Sequence, residues 1–394
     1  MKLDVKALRY LTSEDFRVLT ATEMGSRNHE VVPTSLITEI AKLRAGGTNK
    51  VLGDLARRNL VAKVQNTKYD GYRLTYGGYD YLALKTFSKR NSACSVGNQI
   101  GVGKESDIYV VGDQDGEQRV LKIHRLGRIS FRNIKNTRDY LKNRKSSSWL
   151  YMSRLAALKE YAFMRVLHEN GFPVPQPIDQ NRHCIVMELV DAFPLRSIDN
   201  VLDPGRLYSD LMNLIVKLAQ YGLIHGDFNE FNILVKKSGD LVLIDFPQMV
   251  SIHHPNAQEY FDRDVQCIRT YFRKRYRYES KVYPKFHLDV NQEFDLDVQV
   301  AASGFAKKQQ KELEEYMNLV NENESDEDYD SEDDDEEDDD EDSEEEEDDD
   351  EEDEDSEDEE QESNNITEKL EQLEINSDIP LNMNVDDPKP FQKV

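Results

Sequence analysis

Between His225 and Phe246 the chain reads His-Gly-Asp-Phe-Asn-Glu-Phe-Asn, then Ile-Leu-Val, then, after a Ser238-Gly239-Asp240 turn, Leu-Val-Leu-Ile-Asp-Phe. No other segment confines the fold so closely. It predicts a polar loop, a short strand, a tight turn, a second strand and a carboxylate at that strand's end. A hairpin of this length brings Asn232, before the first strand, and Asp245, after the second, to the same end. Asp227 lies five residues before Asn232 and Asp245 thirteen after it. Phosphoryl transfer asks for that set: a carboxylate to orient the nucleophile and oxygen ligands to hold Mg²⁺ against the phosphates. Asp227 is then the candidate base or orienter, with Asn232 and Asp245 as metal ligands. Either carboxylate alone reads equally well as a turn cap or a strand-end residue; the spacing of all three carries the signal.

Upstream, Gly101-Val102-Gly103-Lys104-Glu105-Ser106-Asp107-Ile108-Tyr109 falls between two apolar β segments. A turn built on Gly101 and Gly103, with Lys104 and Ser106, lets backbone N–H groups approach phosphate oxygens; by itself it is equally an ordinary hairpin. Lys122, in Val-Leu-Lys-Ile, is placed to reach the phosphates, and Glu160 on the following helix to hold that lysine. Met187, Glu188 and Val190, in Met-Glu-Leu-Val, read as a hinge whose backbone meets the adenine edge.

These pieces order the chain. Residues 1–90 read as helices and a hairpin, the winged-helix layout: Thr34 and Thr48 are expected to cap helices, Gly46-Gly47 to stop the first, Asp70-Gly71 to turn the hairpin and Thr75 to open a last helix. A small helical domain that only packs against its neighbour is the alternative. Residues 91–190 read as a β-rich lobe with a helix from about Leu155 to His168, and 191–300 as a reduced helical lobe with a helix from Val265 to Tyr276. Residues 301–320 read as a helical extension, and 321–394 as a tail disordered by composition. The fold class is α+β.

Charge separates body from tail. The formal net charge is −28, yet residues 332–360 are Asp or Glu throughout except Ser343 and Ser356, whereas residues 1–310 hold 46 Lys and Arg against 35 Asp and Glu. A basic body suggests a polyanionic partner. Its strongest concentration runs from Lys122 through Arg125, Arg128, Arg132, Lys135, Arg138, Lys142 and Arg144 to Lys145. With Lys50, Arg57 and Arg58 these are the expected RNA contacts; a solvated basic surface is the alternative. Three cysteines (Cys94, Cys184, Cys267) without C-x-x-C spacing argue against a disulfide framework or a structural zinc site. No apolar run approaches the roughly 20 residues of a membrane span, and residues 1–10 lack the apolar core of a signal peptide. The reading is soluble and intracellular.

The segments Gly-Lys-Glu-Ser-Asp-Ile-Tyr (103–109), Lys-Ser-Ser-Ser-Trp-Leu-Tyr (145–151), His-Gly-Asp-Phe-Asn-Glu-Phe-Asn (225–232) and Ile-Asp-Phe-Pro-Gln (244–248) resemble the RIO family of atypical protein kinases over roughly residues 91–300. With a winged helix at 1–90, the chain looks like the second branch of that family in a eukaryotic form. The resemblance implies a protein-kinase-like bilobal fold, a serine/threonine kinase or ATPase using ATP and Mg²⁺, and an aspartyl-phosphate cycle with Asp245 as phosphoacceptor. It further implies a cytoplasmic role in late maturation of the small (40S) ribosomal subunit and 18S rRNA processing, with pre-40S particles, rRNA and ribosomal proteins as partners. Departures from ordinary kinases bear on mechanism. Ser106 replaces the third glycine of G-x-G-x-x-G, Asp-Phe-Gly becomes Asp245-Phe246-Pro247, and no Ala-Pro-Glu follows. Asp264 is a candidate brace for the catalytic loop, or a plain surface acid.

Two other classes share some features. A small-molecule kinase of the aminoglycoside or choline type would need a helical substrate pocket after residue 250, where this chain turns polar. A nucleotide-binding scaffold without turnover is disfavoured by the complete polar set. In the tail, Ile366, Leu370, Leu373 and Ile375 form an apolar stripe resembling a leucine-rich export signal read by an exportin. It implies shuttling through the nucleus with cytoplasm as the steady state; a helix folding back on the kinase body is the alternative.

Overall fold

The computed structural model describes residues 3, 10–64, 70–126, 148–302, 313 and 379–380. The basic stretch from Arg128 to Lys145, most of the expected helical extension, the acidic run and the export-like stripe lie outside the described residues.

The N-terminal domain starts with α1 (Ser13–Gly25), closed by a capping box in which the Thr12 hydroxyl accepts from Asp15 N and Asp15 Oδ2 accepts from Thr12 N at 2.7 Å. Helices α2 (Thr34–Ala41) and α3 (Ala45–Arg57) follow. Strands β1 (Val32–Pro33), β2 (Val61–Val64) and β3 (Gly71–Leu74) make an antiparallel sheet in the order β1-β3-β2, and α4 (Tyr76–Lys89) leaves it, capped by Thr75 as expected. The three helices and the hairpin of a winged helix are all present.

Four expectations fail here. Thr34 is the first helical residue rather than a cap, because Pro33 already supplies the extended N-cap geometry. That helix ends at Lys42, in the left-handed region at φ 52°, while Gly46 and Gly47 lie inside the first turn of α3. Thr48 is fully buried within α3 and donates to Arg44 O at 3.3 Å. Gly71 belongs to the strand, not to the turn: a Cβ there would stand 2.5 Å from Val32 O, so β1 can approach β3 only because the side chain is missing.

The β-rich lobe is an antiparallel sheet of β4 (Ser95–Val102), β5 (Ser106–Gly112), β6 (Gln118–His124), β7 (Pro177–Asn181) and β8 (Cys184–Glu188), in the order β4-β5-β6-β8-β7, with Ile379–Pro380 on the outer edge of β4. Its helix α5 (Ser148–Glu169) begins well before the expected Leu155. The lower lobe contains β9 (Ala192–Pro194), α6 (Pro204–Gln220), β10 (Leu223–Ile224), β11 (Ile233–Lys236), β12 (Leu241–Leu243), β13 (Val250–Ser251), α7 (Ala257–Tyr276), α8 (Phe286–Asp289) and α9 (Leu296–Ala302). β11 and β12 pair around the predicted turn, and β9 joins β11 on the other side. The helix expected at Val265 starts at Ala257.

Strand alternation divides the sheet between two cores. Leu121 and Ile123 of β6, with Cys184 and Val186 of β8, are buried with Val18, Leu19, Leu52 and Phe87 of the N-terminal domain. Ile185 and Met187 of β8 pack instead with Ala157, Phe163 and Val166 of α5. Side chains in a strand point alternately to opposite faces, so one sheet serves both. The boundary at residue 90 is therefore a boundary in sequence only: the N-terminal domain and the outer face of the sheet share one apolar core. Lys122 pairs across to Ile185, which puts it on the α5 face.

Candidate active site

On that face, Lys122 Nζ donates to Glu160 Oε1 at 2.7 Å and to Asp245 Oδ1 at 2.9 Å. Glu160 comes from the middle of α5, and its other oxygen, Oε2, lies 2.8 Å from His124 Nε2. His124 is two residues beyond Lys122 and so on the same face of β6. All three are buried, while the Asp245 side chain is 39% exposed and forms the open end of the group. Burial pushes the Lys122 ammonium toward the neutral form, but the Asp245 and Glu160 carboxylates more than offset this and hold its pKa above the usual lysine value. Burial likewise opposes ionisation of Glu160, yet Lys122 and His124 bring its pKa down to about 2.

The catalytic loop is fixed from below. Asp264, buried on α7, accepts from Gly226 N at 2.9 Å and Phe228 N at 3.0 Å, which settles its role as a brace. Burial raises its pKa to about 7 against the pull of those two N–H groups. Arg263 adds a hydrogen bond to Gly226 O. Gly226 has φ 79°, and a Cβ would lie 2.8 Å from Gln248 O, so no larger residue fits the loop at this point. His225 is buried, with burial lowering its pKa to about 4; Nδ1 accepts from Asp227 N and Nε2 donates to Ile244 O, both at 3.3 Å, as a neutral ring does. Its ring meets Phe228 and Phe246 edge-on. The histidine therefore fastens the loop to the strand that delivers Asp245.

Asp227 and Asn232 meet as the spacing predicts. Asn232 Nδ2 donates to Asp227 Oδ2 and to Asp227 O, each at 2.9 Å, and Asn229 Nδ2 donates to Asp227 Oδ1 at 2.8 Å. Burial first, then the Asp245 charge, raise the Asp227 pKa to about 6. Ile244 N donates to Asn232 O at 3.0 Å, which ties the residue before Asp245 to the catalytic loop. Asp245 itself adopts φ 71°, the left-handed region that non-glycine residues avoid and that marks functional positions.

The remaining expected residues lie on or beside the strands of the sheet that carries Lys122. Gly101 pairs with Ile108 across β4 and β5, and Gly103 N donates to Ser106 O at 2.7 Å, closing the turn that exposes Lys104. Met187 is buried at the end of β8. Glu188 is exposed, and its side chain accepts from Gln176 N at 3.0 Å; Ala192 N closes back on Val190 O. Two residues at the end of β6 escaped the sequence reading. His124 carries the period-two signal that places Lys122, but a lone histidine in a strand reads as core. Arg125 reads in the sequence only as part of the basic stretch.

The donor set fits Mg²⁺. Asn232 spends Nδ2 on Asp227, leaving Oδ1 as the ligand atom, and Asp245 offers a carboxylate. A hard cation held by one or two protein oxygens, with water and phosphate completing the shell, needs no more. Among the described residues no group of three or more His, Cys, Asp or Glu could hold a metal by itself.

The family model for the RIO domain matches residues 107–285, and that for the Rio2 N-terminal domain matches residues 8–90. The serine/threonine-protein kinase rio2 of Schizosaccharomyces pombe is 64% identical over 318 residues, covering 80% of this chain and 92% of that protein. The RIO2 kinase of Saccharomyces cerevisiae is 52% identical over 333 residues, 78% of each. Among solved structures, the Rio2 kinase of Chaetomium thermophilum in an ADP/Mg²⁺-phosphoaspartate complex superposes with a TM-score of 0.75 at 55% identity, covering 82% of this chain and 100% of that one. The kinase-like fold, the winged-helix domain before it and these likenesses across most of the chain agree, and the protein belongs to the Rio2 branch of the RIO family of serine/threonine-protein kinases.

Proposed function

We propose that the chain binds ATP with Mg²⁺ and transfers the γ-phosphoryl group to Asp245, then releases it to water. The observation that supports this most is the placement of the Asp245 carboxylate, partly exposed, 2.9 Å from Lys122 Nζ and joined through Ile244 to the loop holding Asp227 and Asn232. The ADP/Mg²⁺-phosphoaspartate complex of the Chaetomium relative supports the same cycle. Lys122 would bind the phosphates, Asn232 and Asp245 the cation. The cation would neutralise charge on the phosphates. Asp227, with a pKa near neutrality, would orient the attacking water and take its proton. Labelling with γ-³²P-ATP tests this. Wild type should give an acid-stable, hydroxylamine-labile phosphoenzyme, Asp227→Ala should keep nucleotide binding and label but lose the label to water more slowly, and Asp245→Ala should give no label. Label surviving in Asp245→Ala sinks the aspartyl-phosphate cycle.

The biological setting we propose is late maturation of the small ribosomal subunit, with the basic body on rRNA and the apolar stripe at 366–375 engaging an exportin. A sedimentation profile with and without Asp245 tests the first. Leu373→Ala with Ile375→Ala, expected to move the protein toward the nucleus without loss of ATPase activity, tests the second.

A further inference from the structure

The turn that faces the phosphates in this reading is held from behind by one guanidinium. Arg125 is buried at the end of β6. Its main-chain N–H donates to Glu105 O, inside the turn, and its Nε donates to Asp107 Oδ2 at 3.2 Å, where β5 leaves the turn. Gln99 Nε2, on β4, reaches the other oxygen of Asp107 at 3.3 Å. The far side of the guanidinium is gripped by the N-terminal domain. Nη1 and Nη2 donate to the two oxygens of Asp80, on α4, at 2.7 Å each. His183, in the turn between β7 and β8, completes the group with Nε2 at 2.8 Å from Asp80 Oδ1, its ring stacked on Tyr79. Asp80, Asp107, Arg125 and His183 are all buried.

A fork-to-fork Arg–carboxylate pair fixes orientation as well as distance. With Asp80 on one side, the guanidinium has one way to lie, and that way delivers Nε to Asp107. Remove the Asp80 charge and a buried guanidinium remains with a single carboxylate, free to turn toward it; the anchor of residues 105–107 moves with it. Burial disfavours ionisation of Asp80, but Arg125 and His183 prevail and keep its pKa below the usual value, so the pair is ionised at neutral pH.

We infer that Asp80 and Arg125 are positioning residues for the phosphate-facing turn, so that the N-terminal domain is a working part of the nucleotide site rather than an appended module. The inference rests on the reading of residues 101–106 as that turn. By linkage, a ligand that disturbs α4 would change nucleotide affinity, and nucleotide would change that ligand's affinity equally.

The test is equilibrium binding of a fluorescent ADP with Mg²⁺ to the full chain, with single-turnover ATP cleavage beside it. Asp80→Asn and Arg125→Lys should each weaken binding about tenfold, within the span usual for coupled sites, and the saturated single-turnover rate should fall less than the affinity. Leu52→Ala, which opens a cavity in the same domain's core on α3, should lower the melting temperature and leave affinity at the wild-type value. Combining Asp80→Asn with Arg125→Lys should add little to either alone, because both cut one link. If Asp80→Asn does not fold, Asp80→Glu, which keeps the charge and loses the fork geometry, takes its place with the same expectation. Affinity unchanged in these variants, or lowered equally by Leu52→Ala, overturns the inference while leaving the active site as described. A wild-type chain that binds no nucleotide overturns the reading beneath it, and the inference with it.

Discussion

Replacing Glu160 by Gln removes one charge from a buried group and tests how the site is held. Glu160 is 1% exposed, and its pKa of about 2 lies below the ordinary 4.5 because Lys122 and His124 outweigh burial. That difference, at about 1.4 kcal/mol per unit, amounts to roughly 3 kcal/mol of stability at neutral pH. At about 2–4 °C per kcal/mol for a unit of this size, the melting temperature should fall by roughly 6–12 °C. The sign with pH is definite. A carboxylate with a depressed folded pKa stabilises above its unfolded value, and the contribution is lost as pH falls from 4.5 toward 2. The gap between wild type and Glu160→Gln in urea melts should therefore be full at pH 7 and shrink steadily below pH 4.5. A gap under about 1 kcal/mol at pH 7, or one that persists unchanged into acid, would refute the argument. A functional consequence comes with it. Without the Glu160 charge, Lys122 keeps only one carboxylate, that of Asp245 at 2.9 Å. It would then compete with Mg²⁺ for that carboxylate, and the variant should need more Mg²⁺ for half-maximal activity.

The other expectations are brief. Asp264→Asn places an N–H against one of the two loop N–H groups it now receives, which strands a buried donor at about 1–3 kcal/mol. Because the ionised acid is itself disfavoured there, the melting temperature should move little, while kcat drops at least about tenfold as the loop geometry relaxes; unchanged kcat would show that the brace is dispensable. The Asp227 pKa of about 6 predicts a kcat/KM that rises with unit slope up to about pH 6 and then levels. The same raised pKa means that this group's contribution to stability declines as pH climbs from 3.8 to about 6; a profile flat down to pH 5 would remove Asp227 as base. Neutralising Lys50, Arg57 and Arg58, all exposed on or beside α3, should make RNA affinity less sensitive to salt: the slope of log K against log salt should shrink by about 0.7–0.9 for each RNA phosphate these side chains neutralise in the wild type. No change in slope would assign RNA binding elsewhere.

Much of this site was legible because it is local in sequence. From His225 to Asp245 the loop, hairpin and carboxylate come in chain order, so spacing alone brings Asp227, Asn232 and Asp245 together. Lys122 and Glu160 were legible as a pair through strand and helix type, although they are 38 residues apart. What spacing could not show is how strand alternation sorts neighbours. In Lys122-Ile123-His124-Arg125, Lys122 and His124 go to Glu160 and Ile123 to the core shared with the N-terminal domain, while Arg125, just past the strand, goes to Asp80 and Asp107. Reading Arg125 with the basic stretch missed this, because a buried arginine is recognised only by the carboxylates around it, and Asp80 is 45 residues away. The misplaced caps have a simpler cause. Gly46-Gly47 reads as a stop, but a lysine in the left-handed region had already ended the helix.

The segment after Asp245 bears on what the phosphoryl group can reach. In a peptide-directed kinase this is where a long activation loop and a docking subdomain begin. Here Met249 N closes a turn on Phe246 O, Val250–Ser251 pairs with Leu223–Ile224, and Ile252 N donates to Gly222 O. Helix α7 starts at Ala257 and immediately supplies Arg263 and Asp264 to the underside of the catalytic loop. These bonds tie the segment after Asp245 to the chain beneath the loop. The Asp245 carboxylate is meanwhile held within hydrogen-bonding reach of the lysine that would carry the phosphates. An acceptor that is part of the protein needs no docking surface, which fits the transfer to Asp245 proposed above. On that proposal, adding a peptide substrate should leave single-turnover ATP cleavage unaltered, whereas a peptide that accelerates it would overturn the proposal.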